Sequence, residues 1–360
     1  MNPVARVCSV AACLLTLGAG TPAADEKSPA PPGEQPKAAT EAFPAIGKVE
    51  RLDPKLDEYV SPDAKIEKLA DGLEWAEGPV WVKDGAYLLF SDVPKNVIHR
   101  WGEDKGISDF LKPSGYTAKE PPTMGEPGSN GLALDPAGLL VICQHGDRRV
   151  ARLGKSGEFE TLADKFEGKR FNSPNDLCID KAGNVYFTDP PYGLPQAKRD
   201  EVRELAFNGV YRLGKDGKLT LLTKDMTFPN GIALSPDEKT LYVAQSDGKA
   251  PVIMAFAHNP ADGTVTLPGR VFFDATEQRK AGKKGAPDGL KVAADGTVFA
   301  TGPGGVLVIT AEGKHLGTIA PGADFPTANC AFGGPDGKTL YLTSDMFLCR
   351  IRLNVAGHGF

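Results

Sequence analysis

The sequence predicts an all-β chain closed into a six-bladed β-propeller with a cation site in its central channel. Three observations carry this. A short motif recurs six times, with one oxygen-bearing side chain set just before an apolar run. Glu77, Asn130, Asn175, Asn230, Asp288 and Asn329 hold the equivalent position, at intervals of 53, 45, 55, 58 and 41 residues. Each copy is followed by a turn rich in Gly, Asp or Pro and then by a β-rich run, such as residues 185–188, 241–244 or 298–301. Short strands repeating at this period indicate radial blades or a solenoid, and the lack of helical periodicity favours blades. In a propeller the first strand of each blade lines the channel, so six equivalent side chains point at one axis.

The chain starts with a targeting segment. Arg6, the apolar run 7–17 and the small residues 18–24 read as a secretory signal peptide over 1–24, too short to span a bilayer. The expected location is therefore periplasmic or extracellular, with no membrane contact beyond that segment. Residues 25–58 are rich in Pro, Ala, Lys and Glu and read as a flexible linker, because such composition buries too little apolar surface to order itself. The propeller is expected over 59–355. A strand in 60–70 is assigned to the last blade, closing the ring with chain from both ends.

Blade one follows Glu77 through 80–82, 87–92 and 97–101. A proline-rich loop, 112–128, precedes Asn130; long loops on a rigid scaffold usually carry substrate contacts. Blade two includes His145, Arg148 and Arg149, the two arginines read as blade-edge partners. Blade three includes Tyr192 in a Pro-Pro-Tyr-Gly turn, then an insertion, 196–207, read as a short helix or lid. Blade four runs from Asn230 to Phe256, and blades five and six start at Asp288 and Asn329. The basic stretch 277–284 reads as a surface loop. Cys143, Cys178, Cys330 and Cys349 show no CxxC spacing and read as small buried residues rather than bridges. A net charge of −5 leaves no basic footprint for nucleic acid.

The candidate ring offers two carboxylates, Glu77 and Asp288, and four amides. Calcium takes six to eight oxygen ligands of these kinds, and two carboxylates balance a divalent charge. With no His or Cys in the ring, zinc or copper is disfavoured and calcium is the first expectation, with zinc, manganese and magnesium as alternatives. Taken singly, each Asn-Gly or Asp-Gly is also an ordinary turn. A channel cation can polarise a carbonyl or phosphoryl oxygen while a neighbouring carboxylate takes a proton or attacks.

The chain resembles the SMP-30/gluconolactonase/LRE-like family. The resemblance rests on Glu77-Gly78-Pro79-Val80-Trp81, Ser173-Pro174-Asn175-Asp176-Leu177, Thr188-Asp189-Pro190-Pro191-Tyr192-Gly193, Pro229-Asn230-Gly231-Ile232 and Pro287-Asp288-Gly289-Leu290, and spans roughly residues 60–353. It implies a six-bladed propeller with a divalent cation, usually calcium, held by Glu77, Asn175, Asn230 and Asp288. It also implies Asp288 as general base and a lactone such as gluconolactone as substrate. Asn130, His145, Tyr192 and Asn329 are carried as substrate-pocket candidates. The last blade departs from the family pattern, with Ala328-Asn329-Cys330 in place of Pro-Asn-Gly. The expected activity is an exported metal-dependent lactonase in which Asp288 activates water. The alternatives are phosphotriester hydrolysis at the same site, or a non-catalytic binding propeller with structural calcium.

Overall fold

The computed structural model describes residues 43–360. The segment read as a signal peptide and the first part of the segment read as a linker lie outside the described residues. Six antiparallel sheets follow one another along the chain as blades of a propeller. Blade one comprises Ala76–Val82, Tyr87–Asp92, Val97–Gly102 and Gly106–Leu111. Blade two runs from Ser129–Leu134 to Phe159–Ala163, blade three from Leu177–Ile179 to Leu219–Thr223, and blade four from Pro229–Leu234 to Arg270–Asp274. Blades five and six start with Leu290–Val292 and Asn329–Gly333.

Ring closure is as the sequence indicates. Ile66–Ala70 pairs with Phe347–Arg352, with Ile66 opposite Ile351, so the last blade is built from both ends of the domain. The linker boundary needs correction. Residues 43–58 belong to the folded unit: Ala45–Ile46 pairs outside Ile66–Ala70, and Lys48–Arg51 pairs with His315–Ala320 of blade five. The composition of this stretch is polar, but its backbone groups find partners on sheet edges more than 250 residues away in the case of Lys48–Arg51.

Alternation along each strand fills the seams between blades. Leu88 and Phe90 face blade six, packing with Tyr341 and Leu348, while Leu89 faces Leu132 and Ile142 of blade two. The same exchange joins blades two and three through Cys143 and Phe187, three and four through Tyr186 and Val243, and four and five through Tyr242 and Leu307. Phe299 and Phe332 meet edge-on between blades five and six at 5.2 Å. Each such side chain stabilises the ring by about 1.5–3 kcal/mol. The four cysteines at 143, 178, 330 and 349 are free thiols built into these packed layers.

Hydroxyls repeat at the inner edge. Ser91 Oγ donates to Asn130 O at 2.8 Å, Thr188 Oγ1 to Asn230 O at 2.7 Å, Ser246 Oγ to Pro287 O at 2.7 Å and Thr301 Oγ1 to Ala328 O at 2.9 Å. Each bond ties the second strand of one blade, or the residue just after it, to the start of the next blade. The backbone beside the channel is thereby fixed.

Candidate active site at the channel mouth

The ring residues stand at the start of the innermost strands. Three of these strands carry an irregular register at that point: between Glu77 and Val80, between Ser129 and Leu132, and between Pro229 and Ile232. The Asn-Gly and Glu-Gly pairs are thus bulges within strands rather than turns before them. A bulge re-aims a side chain, here toward the channel. The glycines have a second role. A Cβ on Gly78 would lie 2.0 Å from Asn130 O, on Gly131 2.7 Å from Asn175 O, on Gly231 2.1 Å from Asp288 O and on Gly289 2.0 Å from Asn329 Cγ. Each missing side chain makes room for the next blade's ring residue. Gly78 alone among these four also needs a positive φ, +51°.

Glu77, Asn130, Asn175, Asn230, Tyr192 and Asp288 line one cavity of about 420 Å³ at the channel mouth, together with Trp75, Glu126, Ser246 and Arg279. His145 and Asn329 stand behind this wall. Asn230 anchors its amide by donating from Nδ2 to Ser246 Oγ at 2.9 Å, which leaves Oδ1 for the channel. Asn175 does the same with Nδ2 set 3.4 Å from His145 Nε2. His145 is fully buried, and its Nδ1 lies 3.3 Å from Glu126 Oε2. Nε2 faces the Asn175 amide while Nδ1 has no hydrogen-bond partner among the described residues, so it is through Nε2 that His145 orients Asn175. His145 follows the second strand of blade two, Leu140–Gln144, and packs against a ring residue of blade three. Tyr192 stacks on Phe228 at 6.0 Å and forms part of the cavity wall.

Sequence reasoning missed three groups. Asp176 is a third carboxylate at the ring, nearly fully buried, with Oδ1 accepting from its neighbour Leu177 N and Oδ2 3.3 Å from Asn329 Nδ2. Its place beside Asn175 in the Ser-Pro-Asn-Asp motif was the available signal. Glu126 arrives from the long loop before Asn130, and Arg279 from the short helix Thr276–Lys280, in a stretch read as plain surface. No motif marks either, because the loop path alone brings them to the mouth.

The electrostatics follow from crowding. Burial, then the Asp176 charge, pushes the Glu77 carboxyl up to about 8. Burial and the charges of Glu77 and Asp176 hold Asp288 well above the ordinary carboxylate range. Such a site favours a bound proton or a bound cation. The orphan atoms decide what kind of cation fits. Asn130 Oδ1, Asn175 Oδ1 and Asp288 Oδ1 are buried and have no hydrogen-bond partner among the described residues. Buried polar atoms of this kind call for a ligand. The donors are amide and carboxylate oxygens, which fit a hard divalent cation. No three His, Cys, Asp or Glu side chains among the described residues close on one point, so amide oxygens are needed to complete a shell.

Comparison with known proteins gives the same family on independent grounds. The SMP-30/Gluconolactonase/LRE-like region matches residues 75–346. A gluconolactonase from Zymomonas mobilis subsp. mobilis is 40% identical over 316 residues, covering 87% of this chain and 88% of that protein. The pentonolactonase XacC of Haloferax volcanii is 28% identical over 274 residues, covering 74% and 80%. Among solved structures, the gluconolactonase XC5397 from Xanthomonas campestris superposes with a TM-score of 0.74 at 33% identity, covering 88% of this chain and 99% of that one.

Proposed function

The chain belongs to the SMP-30/Gluconolactonase/LRE-like family, and from that premise we propose that it is a metal-dependent lactonase acting on a sugar lactone. One observation carries the reading: three orphaned oxygens and two carboxylates with raised pKa converge on a cavity of substrate size. Glu77, Asn175, Asn230 and Asp288 are the residues that would hold a divalent cation, with calcium the first choice. A cation bound there supplies polarisation of a carbonyl and charge to offset a developing oxyanion.

The chain's own groups divide the remaining work. Asp288 is open to the cavity on one side and accepts the proton of the attacking water. A carboxylate positioned at the cavity wall can take that proton by general-base catalysis. Trp75 and Tyr192 give flat walls for a sugar ring. Glu126, Asn130 and Arg279 offer acceptors and donors for ring hydroxyls and for the carboxylate of the opened product. His145 holds Asn175 oriented and keeps water out of that side of the ring.

The test is hydrolysis of glucono-1,5-lactone by the purified protein, stripped with chelator and recharged in turn with calcium, magnesium, manganese or zinc. Activity that vanishes on stripping and returns with one metal supports the reading. Stripped and recharged protein of equal activity overturns it. Export by residues 1–24 is part of the same proposal, and fusing that segment to a reporter enzyme active only outside the cytoplasm tests it.

A further inference from the structure

Asn329 repeats the ring position in blade six, yet its surroundings differ from those of the other amides. Its Oδ1 accepts from Cys330 N at 2.9 Å and faces Lys291 Nζ at 3.4 Å. Its Nδ2 points the other way, 3.2 Å from Glu77 Oε2 and 3.3 Å from Asp176 Oδ2. Turning the amide over would set an oxygen against two carboxylates and an NH₂ against an N–H and an ammonium. The contacts with the Cys330 N–H and the Lys291 ammonium would become repulsive, as would those with either carboxyl once ionised, which sets the orientation. Asn329 therefore presents donors, not an acceptor, to the ring.

Lys291 reaches this amide from the opposite end of the channel, where it lines a second, mostly apolar cavity. Its Nζ also donates to Leu290 O at 3.1 Å. Gly289 leaves the space the amide fills, since a Cβ there would lie 2.0–2.5 Å from the Asn329 amide atoms. The result is a continuous path: Lys291, then Asn329, then both Glu77 and Asp176.

We propose that Asn329 and Lys291 are positioning residues of the cation site: Lys291 and the Cys330 N–H lock the Asn329 amide so that its two N–H bonds hold Glu77 and Asp176 apart and aimed into the channel. Asn329 is then neither a cation ligand nor a substrate contact, although its place in the repeat suggests either. Charge-assisted bonds of this kind fix a carboxylate more firmly than neutral ones. Partners standing behind metal ligands typically contribute 10–100-fold to metal affinity. This inference rests on the cation reading above.

The experiment is a double-mutant cycle on the full protein, with calcium affinity measured by calorimetry after stripping. N329L weakens calcium binding 10–100-fold. K291M weakens it at least threefold, although the change removes a positive charge from beneath the site, and K291R stays within twofold of wild type. In the N329L background the same K291M change tightens binding, because only the like charge is then lost. Tighter binding by K291M in the wild-type background would make Lys291 a plain counter-charge and overturn the proposal. Melting temperatures of the four stripped proteins are read in parallel. Non-additive values there establish the bridge even if the wild type takes up no calcium, in which case the cation reading fails and not the geometry. Additive values overturn the bridge itself.

Discussion

Replacing Glu77 with Gln should stabilise the stripped protein at high pH while removing its response to calcium. Glu77 is nearly fully buried, and its carboxyl is pushed from 4.5 up to about 8 by burial and then by Asp176. A carboxyl with a raised folded-state pKa holds its proton more tightly folded than unfolded. The protonated form's contribution is complete below about pH 4.5 and is lost as pH rises through about 8. At pH 8 a shift of that size corresponds to a ceiling of about 4 kcal/mol against folding of the stripped protein. A buried Gln still costs part of what burying the polar group costs, so about half of that ceiling, roughly 2 kcal/mol, is relieved by neutralising Glu77. For a domain of this class that raises Tm by roughly 4 °C. At pH 5 the gap between E77Q and wild type falls to under about 1 kcal/mol, because folded wild type is then protonated. The assay is thermal melting of both proteins at pH 5 and pH 8, in chelator and in millimolar calcium. Calcium should raise wild-type Tm most at pH 8 and leave E77Q almost unmoved, so that the order of the two reverses. E77Q melting at or below wild type at pH 8 in chelator would refute the crowded-carboxylate account.

Three further outcomes are expected. Asp288→Asn should lower kcat for glucono-1,5-lactone by about 10²–10⁴-fold, the usual contribution of a positioned base, as read from initial rates at saturating calcium. Gly231→Ala sets a Cβ 2.1 Å from Asp288 O; the backbone must give way, and the stability loss of about 1–3 kcal/mol by denaturant unfolding should come with weaker calcium binding. His145→Leu keeps an apolar filling of similar size but leaves Asn175 Nδ2 without its acceptor, and calorimetry should show calcium affinity down by about tenfold or more with an intact fold by circular dichroism.

The sequence determined the blade count, because the repeat is local: each oxygen side chain precedes its own apolar strand, and the spacing of Glu77, Asn130, Asn175, Asn230, Asp288 and Asn329 is visible without knowing where the strands go. Closure of the ring by 66–70 and the burial of three of the four free cysteines were also legible, while Cys178 is only half-buried. Tertiary structure decided the rest. Strands at 45–46 and 48–51 exist only because sheet edges formed elsewhere in the chain accept them, which local composition cannot register. Glu126 and Arg279 reach the cavity along loop paths that carry no repeat. Asp176 joins the ring one position beyond the repeat, where counting equivalent positions passes over it. Asn329 occupies the repeat position, yet Lys291 and the Cys330 N–H, donors from two different blades, turn its amide donors toward Glu77 and Asp176. A repeat specifies where a side chain starts. Which of its atoms faces the axis depends on neighbours that only the closed ring brings within hydrogen-bond reach.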